Sequence, residues 1–217
     1  MQSGVMIEVS AYKWVPPLVQ GLVRDLRVRW ALEEVGLPYR VKLIGLGPEQ
    51  NAPEYRALQP FGQVPAYRED DLVLFESGAI ALHIAEKSEA LMPRDPALRQ
   101  ETIQWLFAAL NTIELPIMFL VQLGFTGVTS GPAHDKAVEW TGKRLTELAH
   151  VLKDRDYMVG DRFTVADLMM SSVLDPLRNM GMVEKEPILA AWHEKCHARP
   201  GYKKALADQM AEYKEHT

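Results

Sequence analysis

Between Val5 and Leu43 the spacing of apolar residues changes twice, and that change restricts the possible fold more than any other feature of the chain. Val5 to Ala11 is β-branched and apolar enough for a buried strand, which Pro16, Pro17 and Gly21 prevent from continuing. From Leu22 to Val35, the positions Val28, Ala31, Leu32 and Val35 follow the i, i+3, i+4, i+7 pattern of a helix face, and Gly36 then Pro38 stop it. Tyr39, Val41 and Leu43 alternate with Arg40 and Lys42, the period of a strand with one covered face. These spacings predict a βαβ unit. A short helix near Pro53 to Leu58 follows, then the runs Val64 to Arg68 and Leu72 to Phe75, joined across Glu69, Asp70 and Asp71 as an antiparallel hairpin. Ser77 opens a helix to about Lys87, with Ile80, Ala81, Ile84 and Ala85 inward.

Pro93 and Pro96 break the pattern, and beyond them everything reads as helix. The expected layout is therefore an α/β domain over 1–88 (β-α-β-α-β-β-α), a linker over 89–96 and an all-α domain over 97–217. In that second half Leu106, Leu110, Ile113 and Ile117 form one stripe, with a kink predicted at Pro116, and Val138, Leu145, Leu148 and Leu152 form another. Thr164 and Asp167 stand at the N-cap and third position of a further helix, as a capping box requires. Two shorter helices are predicted near Ile188 to His197 and Tyr202 to Tyr213.

With 217 residues, 47% apolar and 24% charged, the chain can bury a core, which excludes disorder. Its net charge of −5 gives no bulk attraction for phosphate backbones, so no nucleic-acid partner is expected. Cys196 is alone and cannot form an internal disulfide. Met1 to Val9 lacks the cationic and apolar regions of a signal peptide, and the apolar stretch Leu110 to Phe125 is interrupted by Glu114, Pro116 and Gln122. A soluble, cytoplasmic protein without a membrane partner is the expectation.

Three places carry chemistry. Pro65 removes a strand donor, and a cis Val64-Pro65 bond would turn the Val64 backbone outward to pair with an extended ligand. Glu76-Ser77 sits at a helix start, where free N–H groups and the positive end of the dipole suit a carboxylate. His193-Glu194-Lys195-Cys196-His197 matches the bare H-E-x-x-H zinc pattern, but no third ligand is identifiable from sequence, and no metal is expected.

Leu26 to Glu34 followed by Gly36-Leu37-Pro38-Tyr39, Gln59 to Ala66, Glu76-Ser77, and Gly160 to Asp167 together resemble, in order and spacing, the glutathione transferase family in its bacterial-type cytosolic form. The resemblance spans nearly the whole chain. It implies a thioredoxin-like first domain, glutathione as co-substrate, and a homodimer that pairs the first domain of one subunit with the helices of the other. It also implies detoxifying transfer to a small hydrophobic electrophile held between the domains. In that reading Gln63, Val64 and Pro65 belong to the glutathione site, where the Val64 N–H and C=O hold its cysteinyl part, Ser77 receives its γ-glutamyl carboxylate, and Glu76 assists with its ammonium group. The family's thiolate-stabilising group belongs in the loop Tyr12 to Gly21. No Ser or Cys lies between Tyr12 and Trp30, so the serine and cysteine types are not supported. Arg27 is then the first candidate, Tyr12 the second and Trp14 the third, with Arg24 weaker. A glutathione-dependent peroxidase or isomerase, or a non-enzymatic binding module, is the alternative on the same scaffold.

Overall fold

The computed structural model describes residues 6–216, so Val5 lies outside the described residues. The chain forms two compact units, one that runs to Leu91 and resumes at Pro200, and one that spans Met92–Arg199. The first contains β1 (Ile7–Tyr12), α1 (Asp25–Val35), β2 (Tyr39–Ile44), α2 (Pro48–Asn51), α3 (Pro53–Arg56), β3 (Ala66–Glu69), β4 (Leu72–Phe75) and α4 (Ser77–Ala85). Its four strands lie in the order β2-β1-β3-β4. β1 is parallel to β2, while β1–β3 and β3–β4 are antiparallel, with Ile7 opposite both Tyr39 and Glu69. This is the expected thioredoxin-like α/β arrangement. Val28, Trp30, Ala31 and Leu32 of α1 and Ile80, Ala81 and Ile84 of α4 are fully buried, and the two helices pack together.

Three boundaries differ from the sequence reading. Helix α1 begins at Asp25 rather than Leu22, because the preceding residues form turns that end in Leu26 N–H to Val23 C=O. The helix expected at Pro53 to Leu58 is α3, which ends at Arg56, and an unexpected short helix, α2, precedes it, kept separate because Ala52, the residue before a proline, is held extended. Strand β3 starts at Ala66 rather than Val64, because Pro65 has no N–H to donate to a ladder. In the hairpin turn Asp70 takes a positive φ of 51°, which a short polar side chain tolerates.

The second unit contains α5 (Pro96–Ala108), a π-helical segment (Ala109–Ile113), α6 (Glu114–Phe125), α7 (Pro132–Leu152), α8 (Val165–Leu174), a 3-10 turn (Asp175–Leu177) and α9 (Pro187–His197). The irregularity predicted at Pro116 falls one turn earlier, as the π segment. A proline ring conflicts with the carbonyl four residues back, here Thr112, inside that wider turn. All residues of α8 are buried, which makes it the central helix of the unit. The combined run Pro96–Phe125 is long and apolar enough, by length and composition alone, to cross a membrane, which the sequence reading of Leu110 to Phe125 did not anticipate. Leu106, Ala109, Ile113, Ile117 and Leu120 of this run are buried, and it packs on α7 and α8, which accounts for its apolar stripe.

The last helix, α10 (Pro200–Glu215), departs from the expected division at 88 and 97, since it packs on α1 and belongs to the first unit. Arg29, only 1% exposed, explains the attachment. Its Nε donates to Asp25 Oδ2 at 2.7 Å, and its two terminal nitrogens reach Glu212 of α10 at 3.0 and 2.6 Å. Gln209 Nε2 donates to Asp25 Oδ1 at 2.9 Å. A buried carboxylate needs such partners.

Candidate functional site

The start of α4 is the first half of the site. Glu76, its N-cap, is exposed and holds a φ of 69° without being glycine, a backbone state that costs roughly 1–3 kcal/mol and tends to mark functional positions. Ser77 follows as the first helical residue and is buried. Arg27 of α1 is buried as well, and its Nη1 donates to Ser77 Oγ at 3.4 Å. A hydroxyl, a guanidinium and a helix N-terminus therefore converge, which is the chemistry of a carboxylate site.

The segment before β3 is the second half. The Val64-Pro65 bond is cis, as the sequence reading required. Among the described residues, no hydrogen bond takes up the backbone N–H or C=O of Val64, so this edge is available to an extended ligand. The Val64 side chain packs in a cluster with Ile44, Tyr55 and Ala66, against which Tyr12, Val23 and Leu58 lie. A directional chain of hydrogen bonds holds the segment. Ala66 N–H donates to Ser10 Oγ at 2.7 Å, and Ser10 Oγ and Tyr55 Oη are 2.8 Å apart. Tyr55 Oη donates its one proton to the Gln63 carbonyl at 2.6 Å, so the Ser10 hydroxyl must be the donor to Tyr55. Burial pushes the Tyr55 phenol up to about 12, which keeps that proton in place at neutral pH. Gln63 leaves its side chain exposed beside this anchored carbonyl.

Ser10 and Tyr55 were not found from sequence. Ser10 reads as one more residue of a buried strand and Tyr55 as one residue of a short helix. Only tertiary packing, which sets α3 against β1, brings them together.

The loop candidates fall in different places. Tyr12 ends β1, half-buried, and its phenol is pushed above its ordinary value by burial and then by the Asp25 carboxylate. It lies against the Val64 cluster, whereas Arg27 lies against Ser77. Trp14 is half-buried in the segment that leads to the turn Pro17–Val19, and Arg24 directly precedes α1.

Two family models match, the glutathione S-transferase N-terminal domain over residues 18–86 and the glutathione S-transferase C-terminal domain over 103–200. A glutathione S-transferase of Hyoscyamus muticus is 31% identical over 206 residues, with 88% of this chain and 93% of the relative covered. Glutathione S-transferase 1 of Zea mays is 31% identical over 194 residues, covering 83% and 90%. Among solved structures, glutathione transferase F7 of Populus trichocarpa aligns at a TM-score of 0.80 with 27% identity, over 94% of this chain and 99% of that one. A glutathione transferase family member from Pseudomonas fluorescens, solved with two glutathione bound, aligns at 0.79 with 25% identity, over 95% and 94%.

Proposed function

The chain belongs to the glutathione S-transferase family, and from that premise we propose how it works as a glutathione-dependent transferase. Glutathione lies along the cis Val64-Pro65 edge with its cysteinyl backbone paired to Val64. Its γ-glutamyl carboxylate sits on Ser77 Oγ and the N–H groups at the start of α4, and Glu76 receives the ammonium group. Gln63 borders the same segment.

The Arg27–Ser77 contact at 3.4 Å carries the reading. In this reading it directs the guanidinium to the carboxylate end of the ligand, which favours Tyr12 as the thiolate partner over Arg27, the first candidate from sequence. The packing of Tyr12 on the Val64 cluster supports it as the donor to the cysteinyl sulfur. A free thiol near pKa 8.5 is mostly protonated at neutral pH, and a phenol that keeps its proton stabilises the thiolate by one charge-assisted hydrogen bond. The thiol proton leaves to solvent. The thiolate lone pair then forms the S–C bond as the electrophile's leaving group departs with its electron pair, or as an opened epoxide oxygen takes up a proton. Proximity supplies much of the acceleration. Phe107, Leu115 and Phe119 remain exposed on α5 and α6, which supports an apolar acceptor.

Glutathione calorimetry on the purified protein, followed by chlorinated aromatic, epoxide and hydroperoxide substrates, tests this reading. Saturable binding with turnover of a chlorinated aromatic is expected. Turnover of hydroperoxides alone would replace transfer by peroxide reduction, and saturable binding without turnover would make the chain a binding module. The cytoplasm, where reduced glutathione is held, is the compartment this chemistry needs.

A further inference from the structure

The H-E-x-x-H sequence of α9 lacked a third ligand in the sequence, and the fold supplies one. Asp175, the first residue of the 3-10 turn after α8, places its Oδ1 at 3.1 Å from His193 Nε2 and 3.4 Å from His197 Nε2. The three donor atoms all lie within 4.8 Å of one another. The two imidazole rings are 4.0 Å apart between centroids. All three side chains are largely shielded, Asp175 at 11% exposure, His193 at 20% and His197 at 18%.

We propose that Asp175, His193 and His197 form a binding site for a zinc-type divalent cation that fastens the C-terminal end of α8 to α9. The proposal is independent of the glutathione reading, because all three residues belong to the second unit and none of the glutathione residues does.

The distances support coordination. A tetrahedral zinc ion bound at roughly 2.0–2.2 Å from nitrogen and oxygen donors sets neighbouring donors about 3.3–3.5 Å apart. The two Asp175 contacts approximate edges of that tetrahedron, and all three donors lie within 4.8 Å of one another. A histidine–carboxylate hydrogen bond explains one ring at Asp175, but not why a second ring nitrogen approaches the same oxygen. Two imidazoles and one carboxylate suit zinc, cobalt, nickel or copper, and do not suit calcium or magnesium, which take oxygen cages.

The role is structural. In a peptidase with this pattern the glutamate acts as base at the metal-bound water, but Glu194 is exposed, one residue from His193 on the helix and turned away from the pair.

The test uses the full-length, tag-free protein freed of metal and titrated with Co2+, followed by competition with Zn2+. One equivalent should bind with micromolar or tighter affinity and give the visible bands of low-coordinate cobalt. With Zn2+ at about 100-fold above Kd, the unfolding midpoint should rise by roughly 5–10 °C. Asp175→Asn, His193→Gln and His197→Gln should each weaken binding at least tenfold and abolish the rise, while glutathione turnover stays unchanged. His193→Cys is the control for folding, since a thiolate ligand keeps the metal and adds a sulfur-to-cobalt charge-transfer band. Absence of saturable binding, or binding that survives the three substitutions undiminished, overturns the site. Retained glutathione binding in that event leaves the transferase reading intact.

Discussion

Arg27 and Tyr12 lie against different parts of the candidate site, Ser77 and the Val64 cluster, and the proposed division of roles between them rests on that difference. Arg27 is fixed beside the Ser77 hydroxyl, where a carboxylate is expected, and Tyr12 lies on the Val64 cluster, where the cysteinyl part is expected. Arg27→Ala should therefore raise the glutathione Kd about 10- to 150-fold, as for a hydrogen bond to a charged group worth about 1.5–3 kcal/mol, and leave the bound thiol pKa in place. Ser77→Ala should also weaken binding, by about 1–3 kcal/mol, without loss of fold, because it removes a hydroxyl and no packing. Tyr12→Phe should raise the bound thiol pKa and lower turnover most at neutral pH, with a small change in Kd. Ultraviolet thiolate absorbance against pH separates the two roles. If Arg27→Ala moves the thiol pKa and Tyr12→Phe does not, the guanidinium is the thiolate partner after all.

Among the elements, the start of α8 combines a cap with an unusual acid. Asp167, fully buried, accepts from Met158 N–H at 2.7 Å, Thr164 N–H at 3.0 Å and Thr164 Oγ1 at 3.0 Å. Burial outweighs these bonds and pushes the carboxyl up to about 6. Between the unfolded value near 3.8 and the folded value the native state binds the extra proton, so this group's contribution is complete below about pH 4 and is lost as pH rises through 6. In Asp167→Asn that slope should disappear from the urea midpoint plotted against pH, on top of a loss of about 0.5–2 kcal/mol for the weakened cap. The capping box was legible because its two members are three residues apart and act locally. Helix periods and the hairpin were legible for the same reason. The Ser10–Tyr55–Gln63 chain was not, because its members lie 45 and 8 residues apart on β1, α3 and the segment before β3 and meet only in the tertiary fold. The third donor beside His193 was hidden likewise, since Asp175 stands 18 residues away on another element.

At the scale of the whole molecule two associations remain to be weighed, one with a second copy and one within the chain. Phe61 and Phe75 are 62% and 38% exposed and pack edge to face at 6.1 Å, an aromatic patch consistent with the homodimer expected from the family resemblance. Light scattering should give about twice the 24.5 kDa of one chain. Within the chain, α10 forms one unit with residues more than 180 positions earlier, an attachment no period could reveal because an amphipathic face does not name its partner. Asp25 has no exposure, and burial already pushes its carboxyl upward against the pull of Arg29. A chain ended at Arg199 would strip Glu212 from Arg29 and Gln209 from Asp25, and would uncover the side of α1 that Ala205 and Tyr213 help to bury. The subtler test is Arg29→Met, which keeps much of the volume but leaves Asp25 a buried carboxylate without its cation. That change should cost about 3–5 kcal/mol at neutral pH. It should also raise the Asp25 pKa further, so the loss shrinks as pH falls and the carboxyl takes up a proton. An equal loss at pH 4 and pH 7 in urea unfolding would mean that packing of the arginine stem, and not its charge, holds α10 to α1.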